Sequence, residues 1–264
     1  MIVLGFDTAT PSTAVALRLA DGRTSQARDD PREGEHPGHA TRLLAMAADL
    51  LTSEGIRWSD VDRIAVGVGP GTFTGLRVGI ATARGLAQSL SAELVGIPSL
   101  QALAAPALAA LAADARQAAG LPADARAALS NPVLAVIDAR RGEAFAAAYR
   151  ASTAGGAPDE LVAASALAPE DLGEVIATAV DRGIEPGRPW LAVGDGAVRF
   201  RSCLERLAVT VAPDSSPLHR VSAESVCELG LLAAPAPDVE AVLPDYGRRP
   251  DAEIALEAAS AGGR

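Results

Sequence analysis

The chain has 264 residues, 49% of them hydrophobic and only 3% aromatic, which suffices for one large or two modest domains with a core of Ala, Leu and Val. Its 33 acidic residues outnumber the 23 basic residues and give a net charge of −10. Because Lys and Arg bind the phosphate backbone of nucleic acids, this balance argues against tight nucleic-acid binding by the chain alone.

The N-terminus predicts a strand rather than a targeting segment. The apolar run from Ile2 to Phe6 ends at Asp7, no basic region precedes it, and no small-residue cleavage site follows it. No apolar run reaches membrane-spanning length. Cys203 and Cys227 are expected to be buried free thiols in a reducing compartment. These features predict a cytoplasmic protein without a membrane partner.

The first part of the chain predicts three strands followed by alternating helices and strands. The helix over 39–54 is predicted from apolar residues at helical spacing and from Gly55, which is typical of a helix end. The other expected elements are strands at 2–6, 13–19, 24–28, 63–68 and 93–97, and helices at 75–90 and from Ser99 onwards.

The same order of elements begins again at Val133. The strand over 133–137 ends in Asp138, as the first strand ends in Asp7. This repeat predicts two similar α/β lobes that face each other across a cleft, as in actin and the sugar kinases. The further expected elements are strands at 143–150, 160–165, 190–193 and 208–212, and helices at 169–182, 198–207 and 222–233.

The predicted lobes are not continuous in sequence. Residues 1–106 together with 215–264 are expected to form the N-terminal lobe, to which a C-terminal helix returns, and residues 107–214 the second lobe. The Ala-rich stretch 104–131 is expected to be part helix and part loose connection. The tail after Pro250 is expected to be disordered.

A glycine loop, Gly69-Pro-Gly-Thr-Phe-Thr-Gly75, connects a strand to a helix. It lacks the Gly-Lys-Ser/Thr of a Walker A loop. The spacing of Gly71 and Gly75 is that of a nucleophile elbow, but the central residue is Phe73, which cannot attack a substrate. The loop is therefore predicted to be structurally demanding and chemically silent, with Thr72 or Thr74 as the helix cap.

Small residues recur at every fourth position of the helix that follows this loop, and therefore lie on one face. Since a glycine inside a helix costs about 1 kcal/mol relative to alanine, another backbone is expected to pack close to that face. Two alternatives remain open: packing on the chain's own sheet, or docking of a second protein. The docking alternative comprises Gly75, Gly79, Ile80, Ala83 and Ala87, with Leu44, Ala48 and Leu51 from the preceding helix.

Three aspartates that follow strands are the candidates for a ligand site: Asp7, Asp138 and Asp195. In an ATP-using enzyme such carboxylates hold a metal-bound nucleotide, whereas the alternative is that each only caps a turn. The first hairpin lacks glycines and the chain lacks lysine, so the sequence favours a degenerate nucleotide cleft without a cofactor. His36 and His39 are three residues apart rather than four and are not expected to bind a metal. No set of catalytic residues is predicted.

The segment Gly69-Pro-Gly-Thr-Phe-Thr-Gly-Leu-Arg-Val-Gly79 resembles the GPGSFTGLRIG signature of the TsaB (YeaZ) family, with Thr72 in place of the commoner Ser. The resemblance covers most of the chain. Further similar motifs are Phe6-Asp-Thr-Ala-Thr10, Ile137-Asp-Ala-Arg140 with Glu143, Gly194-Asp-Gly196, and Tyr246-Gly-Arg-Arg-Pro-Asp251, in which Gly247 stands where Leu is usual.

The resemblance implies the two-lobed actin-like ATPase (ASKHA) fold and a role in making threonylcarbamoyladenosine beside the anticodon of tRNAs that read codons starting with A. It implies a non-catalytic subunit that binds and supports its paralogue TsaD, is joined by the small ATPase TsaE, pairs with itself when alone, and meets tRNA only through the complex. The alternatives are an ATP-dependent, kinase-like enzyme of the same fold and a metallopeptidase. The absence of a phosphate-binding hairpin and of a metal-ligand set argues against them.

Overall fold

The computed structural model describes residues 1–32, 34–117, 131–152 and 156–247. Within these residues the first of two five-stranded sheets has the order β3-β2-β1-β4-β5. Its elements are β1 (Val3–Asp7), β2 (Thr13–Arg18), β3 (Thr24–Asp29), α1 (His39–Glu54), β4 (Arg63–Gly69), α2 (Phe73–Leu90), β5 (Glu93–Pro98) and α3 (Ser99–Gln117).

The second sheet repeats this topology in the order β10-β9-β6-β7-β8. In each sheet the first strand pairs antiparallel with the second and parallel with the fourth. The elements are β6 (Val133–Arg140), β7 (Glu143–Arg150), β8 (Asp159–Leu167), α4 (Leu172–Asp181), β9 (Trp190–Val193), α5 (Asp195–Arg199), α6 (Arg201–Arg206), β10 (Val209–Val211) and α7 (Ala223–Leu232). This duplication confirms the predicted two-lobed, actin-like α/β fold.

Three apolar clusters hold the layers together. The central cluster joins the inner faces of both sheets through α3 and α7. Helices α1 and α2 cover the outer face of the first sheet, and α4, α5 and α6 cover that of the second. Helix α7 follows the second sheet in sequence yet packs on β1 and β2. The predicted lobe boundary at 106/107 falls inside α3, and the exact division of the lobes stays a prediction.

Local sequence signals account for most helix ends. Gly55 adopts φ 69° and donates its N–H to the carbonyls of Leu51 and Thr52, which ends α1 as predicted. Ser222 caps α7 by accepting a hydrogen bond from the N–H of Ser225. Helix α2 begins at Phe73, two residues before its predicted start, and Thr72 occupies the N-cap position without a side-chain capping bond. The predicted helix at 198–207 is instead two short helices that meet at Phe200.

Both cysteines are free; Cys227 is buried as predicted, whereas Cys203 is only partly buried. In the described part of the chain no helix is long and apolar enough to cross a membrane. Most of the expected loose connection within 104–131 and the expected disordered tail lie outside the described residues.

Candidate functional site

Asp7 lies at the carboxyl end of β1 and is enclosed by its own lobe. Only 1% of it is exposed, and its carboxylate accepts hydrogen bonds from the N–H of Ala9 at 2.8 Å and the hydroxyl of Ser99 at 2.6 Å. The Ser99 oxygen in turn accepts the N–H of Gly69 at 3.3 Å. Burial raises the pKa of Asp7, and the bond from Ser99 offsets part of that rise. Asp7 therefore stabilises the start of the glycine loop.

Asp138 and Asp195 meet at the carboxyl ends of β6 and β9. One carboxylate oxygen of Asp195 accepts the N–H groups of Asp138 at 3.0 Å and Gly196 at 2.8 Å. The carboxylate of Asp138 pairs with Arg199 at 2.7 Å and with Arg140 at 3.7 Å. Burial raises the pKa of Asp195, while the hydrogen bond from Asp138 lowers it. These two predicted candidates come together, and both oxygens of Asp138 and one oxygen of Asp195 already bind groups of the protein.

A cavity of about 370 Å³ lies between the β1–β2 hairpin and the segments that follow β9 and β10. Asp30 pairs with Arg28 at 2.7 Å and with Arg220 at 3.4 Å, so one carboxylate bridges two guanidinium groups on this side. Among the described residues no group of three or more His, Cys, Asp or Glu side chains could hold a metal ion. The polar and charged side chains around the cavity include Thr10, Ser12, Arg28, Asp30, Asp195, Asp214, Ser216, His219 and Arg220.

The two neighbouring histidines do not form a joint site. His36 lies exposed in the loop before α1. His39 is buried at the start of that helix, where its Nδ1 lies 2.8 Å from the hydroxyl of Thr13 and its Nε2 has no hydrogen-bond partner among the described residues. His39 is thus part of the packing between α1 and the first sheet.

The small-residue stripe of α2 faces the chain's own sheet. The hydroxyl of Thr8 donates a hydrogen bond to the carbonyl of Gly75 at 2.8 Å, and a Cβ on Gly75 or Gly79 would collide with Thr8. These positions are buried before any partner binds, which corrects the docking-face alternative and supports intramolecular packing. The correction applies to Leu51, Gly75, Gly79, Ile80, Ala83 and Ala87. For Leu44 and Ala48, the partner interface stays a prediction.

A second stripe of α2, offset by two residues from the buried one, points away from the sheet. We define the outward face of α1 and α2 by this stripe and two residues of α1. Leu44 is 49% exposed and Phe73 is 55% exposed. A Cβ on Gly85 would meet no atom of the described part of the chain within 4 Å. The residues of the outward face are Leu44, Ala48, Phe73, Arg77, Ala81 and Gly85.

An aromatic cluster forms one end of the outward face. The rings of Phe73 and Tyr246 stack with centroids 5.2 Å apart at an angle of 29°. The guanidinium carbon of Arg77 lies 3.8 Å from the centre of the Phe73 ring, and its Nε donates a hydrogen bond to the Tyr246 hydroxyl at 3.1 Å. No sequence motif indicates this cluster, because 169 residues separate Arg77 from Tyr246.

Comparison with known proteins finds a matching family over most of the chain. The family model described as "TsaD: tRNA N6-adenosine threonylcarbamoyltransferase" matches residues 33–256. The "tRNA threonylcarbamoyladenosine biosynthesis protein TsaB" of Escherichia coli is 33% identical over 150 residues, which are 57% of this chain and 55% of that protein. The chain thus spans about half the length of this curated relative. The protein of the same name from Bacillus subtilis is 25% identical, and the match spans 96% of this chain and 96% of that protein.

A solved structure agrees with these matches. YeaZ from Pseudomonas aeruginosa is 26% identical and superposes with a TM-score of 0.64 over 93% of this chain and 99% of that chain.

Proposed function

The chain belongs to the TsaB (YeaZ) family, within the wider group that the TsaD family model describes, and from this premise we propose that it serves in making threonylcarbamoyladenosine in tRNA. In this proposal it is a non-catalytic subunit that binds and supports a TsaD paralogue. The modified adenosine lies beside the anticodon of tRNAs that read codons starting with A. TsaE joins the complex, and the chain contacts tRNA only as part of that complex. Without its partners, the chain forms a homodimer.

The state of Asp7 is the observation that carries the non-catalytic part of the proposal. A carboxylate that serves a metal-bound nucleotide has to face the cleft with free oxygens. Here Asp7 is 1% exposed and both of its oxygens accept hydrogen bonds from the protein, from Ala9 and Ser99. In addition, both oxygens of Asp138 and one oxygen of Asp195 bind groups of the second lobe. These contacts favour a structural role for the three aspartates, whereas a nucleotide-dependent enzyme would direct such carboxylates at its ligand.

The outward face of α1 and α2 is the proposed contact surface for the paralogue. Leu44 leaves about half of an apolar side chain in water. Glycine at position 85 costs the helix about 1 kcal/mol relative to alanine, and no atom of the described residues lies near its Cβ position to account for it. Close approach of a second backbone would account for both features.

Binding to the paralogue and a modification assay test this proposal together. The chain and the TsaD paralogue of the same organism are expected to co-purify, and threonylcarbamoyladenosine formation with TsaE is expected to require the chain. Leu44→Arg should abolish co-purification, because it places a charge in an apolar contact. The matched control is Leu207→Arg, since Leu207 is 40% exposed but lies after α6 in the second lobe. Equal binding by both variants, or modification without the chain, would contradict the proposal.

ATP turnover distinguishes the kinase-like alternative. We expect the purified chain alone to hydrolyse no ATP, because the carboxylate of Asp7 is turned inward and bound to Ala9 and Ser99. Phosphate release is measured with and without Mg²⁺. Steady turnover that disappears in Asp7→Ala, while the circular dichroism spectrum stays native, would favour the enzyme over the partner subunit.

A further inference from the structure

Arg77 differs from most arginines of the described residues because it has no carboxylate partner. Most of them form ion pairs, as Arg84 does with Glu240 at 2.7 Å and Arg63 does with Glu93. Arg77 forms none within the described part of the chain; its one protein acceptor there is the Tyr246 hydroxyl. Within the described residues, an exposed cation without a paired carboxylate therefore lies on the outward face of a chain whose net charge is −10.

The guanidinium of Arg77 is also held in place. Its carbon lies 3.8 Å from the centre of the Phe73 ring, and its Nε donates to the Tyr246 hydroxyl, so two contacts restrain the side chain. A guanidinium carries five N–H donors, so the two terminal nitrogens keep four donors for another acceptor. Because these atoms are already ordered, binding an acceptor costs little additional side-chain entropy.

We propose that Arg77, held by Phe73 and Tyr246, is the electrostatic anchor of the partner contact and binds a carboxylate of the docking protein. This inference rests on the proposed function, since it assigns a chemical partner to the outward face. The two oxygens of one carboxylate can accept the two parallel N–H groups that an arginine presents. Arginine and aromatic side chains that lie together are also the residue types that dominate the energetics of protein interfaces.

The surroundings favour a protein carboxylate over the phosphate of a nucleic acid. Phe73, whose ring lies beneath the guanidinium, is 55% exposed. Such apolar surface suits a protein contact with one charged group at its edge. A phosphate backbone would need several cations together, which the net charge of −10 opposes.

The anchor is tested by isothermal titration calorimetry, in which the chain is titrated with the TsaD paralogue of the same organism at low and at physiological salt. Arg77→Ala should raise the Kd about tenfold or more and make the Kd depend less on salt. Arg77→Lys, which keeps the charge but loses the paired geometry, should fall between this variant and the unaltered chain. Tyr246→Phe should weaken binding severalfold, because it releases the guanidinium without removing it.

The matched control is Arg206→Ala. Arg206 is an exposed arginine of α6 in the second lobe that likewise has no ion pair among the described residues. This variant should bind as the unaltered chain does. Thermal melting verifies that all four variants are folded.

The outcomes separate the anchor from the proposed function. If Leu44→Arg abolishes binding and Arg77→Ala does not change it, the anchor is refuted and the partner role stands. If the unaltered chain does not bind the paralogue, the proposed function itself fails. If Arg77→Ala dissociates only a dimer of the chain, the carboxylate belongs to a second copy, and the anchor for the paralogue is refuted.

Discussion

At the scale of single residues, His39 gives the chain a defined response to pH. Burial lowers the pKa of His39 below its ordinary value of 6.5. Between the lowered pKa of the folded state and about 6.5, the unfolded chain binds more protons than the folded chain. This residue therefore makes the free energy of unfolding fall as the pH drops below about 6.5, and its effect levels off below the folded-state pKa.

Urea denaturation at pH 7.5 and pH 5.5 measures this contribution. His39→Gln should lose less stability than the unaltered chain between these two pH values. His36→Gln serves as the control, because His36 is exposed in the preceding loop, and it should behave as the unaltered chain does. An equal pH dependence in His39→Gln and the unaltered chain would show that the imidazole of His39 does not titrate on unfolding.

Asp7 shows what the sequence could and could not predict at this scale. Its place at the end of a strand followed from the apolar run before it, and that placement is confirmed. Its enclosure depends on Ser99, 92 residues away, and on the close approach of Gly67, which leaves no room for a side chain beside the carboxylate. A sequence pattern gives the position of a carboxylate along the chain but not the donors that turn toward it.

At the scale of elements, two glycines of α2 should respond in opposite ways to the same substitution. A Cβ on Gly79 would collide with the hydroxyl of Thr8, which is fully buried and already bonded to Gly75. Gly79→Ala should therefore lower the free energy of unfolding by about 1–3 kcal/mol. Gly85→Ala adds a methyl group in open space and should raise it by up to about 1 kcal/mol through helix propensity. Chemical denaturation of the two variants gives both values, and equal signs would contradict the assigned orientation of α2.

The span of α2 can be predicted from the sequence, whereas its orientation cannot. The span of the helix was predicted to within two residues, because apolar spacing and the preceding glycine loop define it. The sequence could not decide whether the stripe of Gly75, Gly79, Ala83 and Ala87 packs on the chain's own sheet or against a partner, because close approach of a second backbone suits either arrangement. Only the contact of Gly75 and Gly79 with Thr8 decides between them, and that contact depends on how β1 lies against α2.

At the scale of the whole molecule, the segment after α7 links the two lobes at Gly247. Asp245 donates its N–H to the carbonyl of Val68 at 2.7 Å, which fixes the segment beside β4. A Cβ on Gly247 would lie 2.6 Å from Pro70 of the glycine loop and 2.7 Å from Phe145 of β7. Gly247 also has φ 61°, a conformation that favours glycine. The small residue at this position lets one segment contact both lobes.

Gly247→Ala is therefore expected to destabilise the chain by more than backbone strain alone. The matched control is Gly55→Ala, because Gly55 has φ 69° but, among the residues that the structure describes, no atom within 4 Å of its Cβ position. The control carries only the strain of a left-handed residue, roughly 1–2 kcal/mol. Gly247→Ala should lose about 1–3 kcal/mol more, since the methyl group would push Pro70 and Phe145 apart. Because Tyr246 precedes Gly247 and holds Arg77, the variant should also weaken binding to the paralogue, whereas Gly55→Ala should not. Denaturation and calorimetry on the same two proteins measure both effects, and equal losses of stability in the two variants would mean that Gly247 does not join the lobes.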